Sequence, residues 1–98
     1  RLAHHGATEA DPLWRLPLWR GYRAMIDSPI ADINNAGDSP FAGAITAALF
    51  LQDFVTRANS WVHIDLFGWN PKARAGRPVG GEAQAMRALF AMLRERYG

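Results

Sequence analysis

The sequence predicts an α/β fold whose elements follow one another in the order helix, helix, strand, helix. Three stretches carry this prediction. Residues 61–67 alternate between two faces like a half-buried strand, residues 41–55 form an apolar helix, and residues 86–97 form an amphipathic helix. Because a lone strand leaves its backbone N–H and C=O groups unpaired, we expect it to pair with sequence outside this chain or with another copy.

Length and composition describe a globular chain. Of its 98 residues, 49% are hydrophobic and 11% aromatic, which excludes a disordered or collagen-like chain and suits one domain, residues 1–98. Eleven Lys and Arg face nine Asp and Glu, and the basic residues are spread along the chain, so we expect no nucleic-acid partner. The absence of cysteine is compatible with a cytoplasmic location. The longest apolar run is too short to span a membrane.

The N-terminal part of the chain divides into a loop and a helix. Residues 1–12 lack helical periodicity and predict a loop. Neighbouring residues in an extended segment point to opposite faces, so joint metal binding by His4 and His5 is disfavoured and both are expected in solvent. A helix is predicted from Pro17 to the stop signal Asp27-Ser28-Pro29. Its apolar residues at helical spacing are Leu18, Tyr22, Met25 and Ile26.

The second predicted helix, residues 41–55, follows a structured loop at 30–40 whose turn-forming residues include Gly37 and Asp38. This helix is apolar on nearly every face and is expected to be buried. Its N-terminal half is rich in small residues, which are Ala42, Gly43, Ala44, Ala47 and Ala48. Such residues let another backbone or a ligand approach closely, and close packing is the commoner reason for them.

The C-terminal helix is predicted to follow a loop at 72–81 that is rich in Gly, Pro and Arg. Glu82 is expected at the helix N-terminus, where a carboxylate complements the helix dipole. The apolar stripe of this helix is expected to cover a sheet and consists of Met86, Leu89, Phe90, Leu93 and Tyr97. Before the loop, the predicted strand ends at Gly68, Asn70 and Pro71.

Common motifs for nucleophilic, phosphate-binding and zinc-protease chemistry are absent from the sequence. One pair of residues remains as a candidate site. His63 and Asp65 are two apart on the predicted strand and share a face, which suits a metal ligand pair or an acid–base couple. Two ligands do not close a metal site, and a histidine held by a carboxylate is more often structural.

Two further features allow alternative interpretations. The backbone of Gly76-Arg77-Pro78, followed by Gly80-Gly81, would receive an anion with Arg77 supplying charge. The commoner arrangement is a turn and a helix cap in which Arg77 pairs with a buried carboxylate. We expect four aromatic residues in the core or at a subunit interface, and they are Trp14, Trp19, Trp61 and Trp69.

Five segments follow one another in a single order: Leu16-Pro17-Leu18, Ser28-Pro29-Ile30-Ala31-Asp32-Ile33-Asn34-Asn35, Ala42-Gly43-Ala44-Ile45-Thr46-Ala47-Ala48 with Phe50-Leu51, Trp61-Val62-His63-Ile64-Asp65, and Gly76-Arg77-Pro78-Val79. Together they resemble the C-terminal segment of the leucyl aminopeptidase (cytosol aminopeptidase) family. The match is collinear over nearly the whole chain. The resemblance implies that residues 1–98 are the incomplete C-terminal part of an α/β/α catalytic domain, a mixed sheet covered by helices.

The resemblance also implies an activity. Family members are metallo-aminopeptidases that release N-terminal amino acids from peptides with two divalent metal ions, zinc or manganese, and usually form homo-hexamers. Their metal ligands and catalytic basic residues lie on an Asn-Thr-Asp-Ala-Glu-Gly-Arg-Leu motif and on a Lys and an Asp before it, and this chain has none of them. We therefore expect no catalytic residue and no metal ligand here, and no activity from these residues alone.

Substrate binding is the contribution that the resemblance assigns to this chain. In the family, the strand ending in His-Leu-Asp-Ile-Ala-Gly supplies a small residue, and another residue three positions later, to the pocket for the first side chain of the substrate. The corresponding positions are Phe67 and Asn70. Because Phe67 is larger than the usual Ala and Asn70 is polar where apolar residues are common, the resemblance implies a smaller or differently shaped pocket. The family's Gly-Ala-Thr-Gly-Arg-Pro loop corresponds to residues 73–78, which here read Ala-Arg-Ala-Gly-Arg-Pro.

A second interpretation comes from a different functional class. A non-catalytic interaction module would complete its sheet by pairing the strand at 61–67 between two copies of the chain. Size in solution distinguishes the two interpretations most cheaply.

Overall fold

The computed structural model describes residues 1–35 and 42–98. In chain order its elements are α1 (Leu2–Thr8), a 3₁₀ helix (Arg20–Ile26), α2 (Gly43–Gln52), β1 (Trp69–Asn70), β2 (Gly80–Gly81) and α3 (Met86–Tyr97). They belong to two compact units, one of Arg1–Arg15 with Ile64–Gly98 and one of Leu16–His63. The predicted α/β class is confirmed, while Gly37, Asp38 and Phe41 of the predicted elements lie outside the described residues.

In the unit Leu16–His63, the 3₁₀ helix packs against α2 and buries Ile26. The predicted helix from Pro17 thus begins later, at Arg20, and is 3₁₀ rather than α. Its end is as predicted, because Asp27 turns to an extended conformation before Ser28-Pro29. Its seven residues make it long for a 3₁₀ helix. The Arg23 guanidinium, 2.6 Å from an Asp53 carboxylate oxygen, ties it to the end of α2.

Helix α2 is shorter and less buried than the sequence predicts. It ends at Gln52, and only its middle is buried, at Ala48 and Leu49. Leu51 and Phe54 are exposed, so the prediction that nearly every face is buried is wrong for the C-terminal end. Within the part of the chain that the structure describes, α2 packs against one short element, the 3₁₀ helix, which leaves these two side chains uncovered.

In the unit Arg1–Arg15 with Ile64–Gly98, α1 packs against α3. The loop predicted for residues 1–12 is therefore wrong over α1. Gly6 allows the chain to fold back tightly after the helix, since a Cβ atom there would lie 2.7 Å from the carbonyl oxygen of Asp11. His5 is likewise not in solvent, because its ring pairs with Glu95 near the end of α3. Contacts so distant in sequence leave no periodic signal in α1 itself.

The sheet consists of β1 and β2, an antiparallel pair in which Trp69 faces Gly81 and Asn70 faces Gly80. Residues 61–68 carry no strand assignment, and no ladder to them forms within residues 1–35 and 42–98. The predicted strand at 61–67 therefore lacks a backbone partner in the described chain. An alternating segment becomes a strand only when another backbone pairs with it, which the sequence pattern by itself cannot supply.

Helix α3 begins at Met86 and not at Glu82, and it presents an unexpected face to α1. Ala88 is fully buried, whereas most of the predicted apolar stripe is exposed. The exposed members are Met86, Phe90, Leu93 and Tyr97. The buried position of α3 is thus a small residue, and the stripe that was expected to cover a sheet stays largely uncovered among the described residues.

None of the helices in residues 1–35 and 42–98 combines the length and apolar character needed to cross a lipid bilayer.

Candidate functional site

The two residues of the predicted substrate pocket differ sharply in their surroundings. The Phe67 side chain is 78% exposed, whereas Asn70, three residues later, is only 4% exposed. The backbone bends between them at Gly68, whose φ of 71° lies in the left-handed region that favours glycine. The bend separates a solvent-facing aromatic ring from a buried amide.

Gly68 is held through both of its backbone polar groups, an arrangement we call the Gly68 clamp. Its N–H donates to the Oε1 atom of Gln84 at 3.1 Å. Its carbonyl oxygen accepts the N–H of Glu82 at 3.0 Å. The pairing of β1 with β2 extends the clamp, so residues 68–70 are fixed to the segment that leads into α3.

The Asn70 side chain is fully engaged with the backbone. Its Nδ2 group donates to the carbonyl oxygens of Arg77 and Pro78, each at 2.9 Å, and its Oδ1 atom lies 3.4 Å from the N–H of Lys72. A buried amide with such partners holds the loop at 72–78 closed. Its predicted place in the substrate pocket stays a prediction.

The loop that the resemblance singled out forms a tight turn. Arg74 and Arg77 exchange two backbone hydrogen bonds of 2.8 Å across Ala75 and Gly76, and Gly76 has a φ of 69°. The Glu82 side chain, 9% exposed, lies 2.8 Å from Arg74 and 3.5 Å from Arg77. Of the two arrangements considered from the sequence, the turn with Arg77 beside a buried carboxylate is the one observed.

The cap of α3 comes from Asp11 and not from Glu82. The Asp11 carboxylate, on a residue only 4% exposed, accepts the N–H groups of Ala85 at 2.9 Å, Arg87 at 3.0 Å and Ala88 at 3.1 Å. It thereby satisfies donors that a helix N-terminus leaves unpaired. Because these bonds connect positions more than seventy residues apart, no local pattern in the sequence signals them.

Opposing effects set the pKa of this carboxyl group. Burial by itself raises the pKa of Asp11, but the N–H groups of Ala88 and Ala85 and the charge of Arg87 outweigh it, so the pKa lies below its ordinary value of 3.8. At neutral pH Asp11 is therefore ionised and fits the positive end of the α3 dipole.

A cleft of about 200 Å³ lies beside this network and is lined in part by Arg77, Glu82 and Arg87. Both guanidinium groups donate to the carbonyl oxygen of Ala10, at 3.2 Å from Arg77 and 3.0 Å from Arg87. Their charges lie close to Glu82 and Asp11. Since each cation has a carboxylate beside it, the cleft ties the chain together and offers little charge to a free anion.

The remaining candidate residues do not gather into a site. The His63 ring lies 6.4 Å from the Trp61 ring, and among the described residues no group of three or more candidate ligands surrounds a point that would hold a metal ion. The described part of the chain therefore does not fit the metal pair that the resemblance implies. Trp14, Trp19 and Trp69 are exposed rather than in the core, and their place at a subunit interface stays a prediction.

Comparisons with known proteins agree with one another. The family model for the cytosol aminopeptidase family, catalytic domain, matches residues 1–90. A probable cytosol aminopeptidase 2 of Shewanella oneidensis is 48% identical over 83 residues, which are 80% of this chain and 16% of that protein. A probable cytosol aminopeptidase of Syntrophotalea carbinolica is 45% identical over 96 residues, 96% of this chain and 19% of that protein.

A solved structure matches the fold as well. The crystal structure of the cytosol aminopeptidase from Coxiella burnetii aligns with a TM-score of 0.91 and 48% sequence identity, over 99% of this chain and 21% of that chain. The chain thus spans about a fifth of the length of the curated relatives it matches. With the family match extending over most of its length, the chain belongs to the cytosol aminopeptidase family.

Proposed function

We propose that this chain is the C-terminal part of the catalytic domain of a leucyl-type aminopeptidase that releases N-terminal amino acids from peptides. The observation that carries the proposal is the alignment of 99% of the chain with a cytosol aminopeptidase structure at 48% identity. At that identity, collinear matching of helices and turns reflects a shared domain and not only a shared architecture. The proposed substrates are peptides with a free N-terminus, and the proposed location is the cytoplasm.

In this proposal the chain supplies scaffold and one wall of the pocket for the first side chain of the substrate. Phe67 forms the wall, and its exposure in the described chain leaves its ring free to contact a ligand. Asn70 contributes to the same wall indirectly, because its buried amide fixes the loop at 72–78. A Phe at this position narrows the pocket and disfavours bulky side chains.

The catalytic machinery is proposed to lie elsewhere in the full-length enzyme. We assign the two divalent metal ions, zinc or manganese, to residues outside this chain, since no group in the described residues fits them. We also propose a homo-oligomer, a hexamer as in the family, with exposed aromatic residues such as Trp14 available for subunit contacts.

Replacing the aromatic wall tests the proposal in the full-length enzyme. Phe67→Ala is expected to raise kcat/KM for leucyl relative to alanyl substrates by about tenfold, since space for a larger apolar side chain is worth roughly this factor. Phe54→Ala, which removes another exposed Phe, is the matched control and should leave the ratio unchanged. An unchanged ratio in Phe67→Ala would remove Phe67 from the pocket. A full-length protein without peptidase activity when supplied with zinc or manganese would contradict the enzyme proposal itself.

A second candidate function follows from the absence of a ladder to residues 61–68 within the described chain. A non-catalytic module that dimerises through this segment would pair it between copies, with Val62 and Leu66 exposed and available. Light scattering on the purified 98-residue chain distinguishes the two. A stable dimer, together with a full-length protein that hydrolyses no peptide, would favour the module over the enzyme.

A further inference from the structure

We propose that Gln84 is a positioning residue that sets substrate selection by holding the peptide unit directly after Phe67. The inference rests on the proposed function, in which Phe67 forms one wall of the substrate pocket. Gln84 itself does not contact substrate. It acts through the Gly68 clamp.

Phe67 is positioned by its backbone. Its ring is 78% exposed, so packing inside the described chain contributes little to its position. The direction of the side chain therefore depends on the backbone that carries it. That backbone includes the peptide unit between Phe67 and Gly68, whose N–H donates to Gln84 Oε1 at 3.1 Å.

The bend at Gly68 depends on the clamp. A glycine at a φ of 71° has access to many other conformations, so the bend needs external bonds to persist. The clamp provides two, from the Gln84 side chain and from the Glu82 backbone. The Glu82 bond holds the carbonyl group of Gly68 and so the next peptide unit, between Gly68 and Trp69. Removing the Gln84 bond therefore leaves the N–H of the Phe67–Gly68 peptide unit without its acceptor, so this unit is free to rotate and the Phe67 ring moves with it.

Gln84 projects from a segment that is itself anchored. Its chain neighbour Ala85 donates its N–H to Asp11 at 2.9 Å, and Glu82 is held by Arg74 at 2.8 Å. Gln84 is half-buried between these anchors. Its Oε1 atom is therefore presented from a fixed segment, which is what a side chain needs in order to orient another backbone.

The experiment compares two replacements of Gln84 in the full-length enzyme. Gln84→Met keeps the length of the side chain and removes the acceptor oxygen, whereas Gln84→Glu keeps an acceptor. We expect Gln84→Met to raise the leucyl-to-alanyl kcat/KM ratio by about threefold to tenfold, the effect of one lost hydrogen bond. Gln84→Glu should stay within about twofold of the wild-type ratio, since a carboxylate also accepts the N–H of Gly68.

The double variant Phe67→Ala with Gln84→Met separates positioning from a general structural role. If Gln84 acts through the Phe67 ring, adding Gln84→Met to Phe67→Ala should not change the ratio further. If Gln84→Met changed the ratio in the Phe67→Ala background as much as it does in the wild type, the inference would be overturned. A parallel fall of kcat for both substrates with an unchanged ratio would overturn it too.

The same set of variants distinguishes this inference from the proposed function. An unchanged ratio in Phe67→Ala contradicts the proposed wall, and the inference falls with it. A changed ratio in Phe67→Ala with none in Gln84→Met overturns the inference alone. Should Gln84→Met fail to fold, Gln84→Asn takes its place and is judged by the same criteria. Its side chain is one methylene shorter, which withdraws the amide oxygen from the N–H of Gly68.

Discussion

The start of α3 and the segment at 61–68 lie in the same chain but differ in where their backbone partners come from. At the start of α3, the N–H groups of Ala85, Arg87 and Ala88 all donate to one buried carboxylate, Asp11. At 61–67, the sequence alternates like a strand, yet no ladder forms within the described chain. The first region is completed by the chain itself, and the second requires another backbone.

This difference indicates how the chain contributes to its domain. The elements around α3 form a self-contained framework, with α1, the Gly68 clamp and the turn at 74–77 joined by hydrogen bonds and ion pairs. The alternating segment ends at the clamp. We therefore interpret the elements around α3 as a framework that carries the alternating segment, with Phe67 near its end, for pairing with another backbone.

The largest effect on stability is expected from removing the carboxylate that caps α3. Asp11→Ala leaves three backbone donors at the start of α3 without their acceptor and removes the carboxylate beside Arg87, so we expect the free energy of unfolding to fall by about 2–4 kcal/mol. Urea unfolding followed by circular dichroism measures the change. Asp32→Ala, at an exposed position, is the control and should stay within about 0.5 kcal/mol of wild type. Equal effects of the two replacements would show that the cap contributes nothing.

An intermediate effect is expected at the boundary between the two regions. Gly68→Ala places a side chain at a φ of 71°. Among the described residues its Cβ atom would meet only Leu66, at 3.5 Å, so the cost is backbone strain of about 1–2 kcal/mol. Gly43→Ala, at the first residue of α2, is the matched control, because outside its own helix and chain neighbours the added Cβ would meet no described atom within 4 Å. It should stabilise the chain by up to about 1 kcal/mol. Thermal unfolding should show a lower midpoint temperature for Gly68→Ala and a higher one for Gly43→Ala than for the wild type.

A smaller effect is expected from protonating the cap without removing it. The folded pKa of Asp11 lies below its unfolded value of 3.8, so the unfolded chain binds more protons near that pH and stability rises with pH. This contribution is present above the unfolded value and is lost as the pH falls through the folded pKa. Asp11→Asn should flatten the acid limb of a plot of unfolding free energy against pH.

Glu95 provides the comparison for that titration. The hydrogen bond with His5 is the main cause that lowers the pKa of the Glu95 carboxyl group, which lies at an exposed position. Solvent weakens such exposed interactions, so Glu95→Gln should flatten the acid limb less than Asp11→Asn does. A larger change in Glu95→Gln would assign the acid sensitivity to the contact between α1 and α3 and not to the cap.

The sequence predicted those features whose causes lie within a few residues. The spacing of apolar residues located α3, and Asp27-Ser28-Pro29 ended the 3₁₀ helix as predicted. Gly76, at a positive φ, lies in the turn considered for the loop at 72–81. Local pattern was sufficient in each case.

Features that depend on distant residues were missed for the same reason. Helix α1 has no stripe of its own and is stabilised by α3, at the opposite end of the sequence. Asp11 caps a helix that begins at Met86, and Glu82, which local rules placed at that cap, pairs with Arg74. No window of neighbouring residues contains both partners, so propensity and periodicity do not reveal them.

Backbone hydrogen exchange tests most directly whether the segment at 61–67 is completed by the rest of the full-length protein. We would measure the amides of Val62, Ile64 and Leu66 and that of Ala88, in the 98-residue chain and in the full-length protein. We predict fast exchange at the first three amides in the chain alone, strong protection of the same amides in the full-length protein, and protection of Ala88 in both. Fast exchange at 62–66 in the full-length protein would contradict this prediction, because the segment would then have no partner there either.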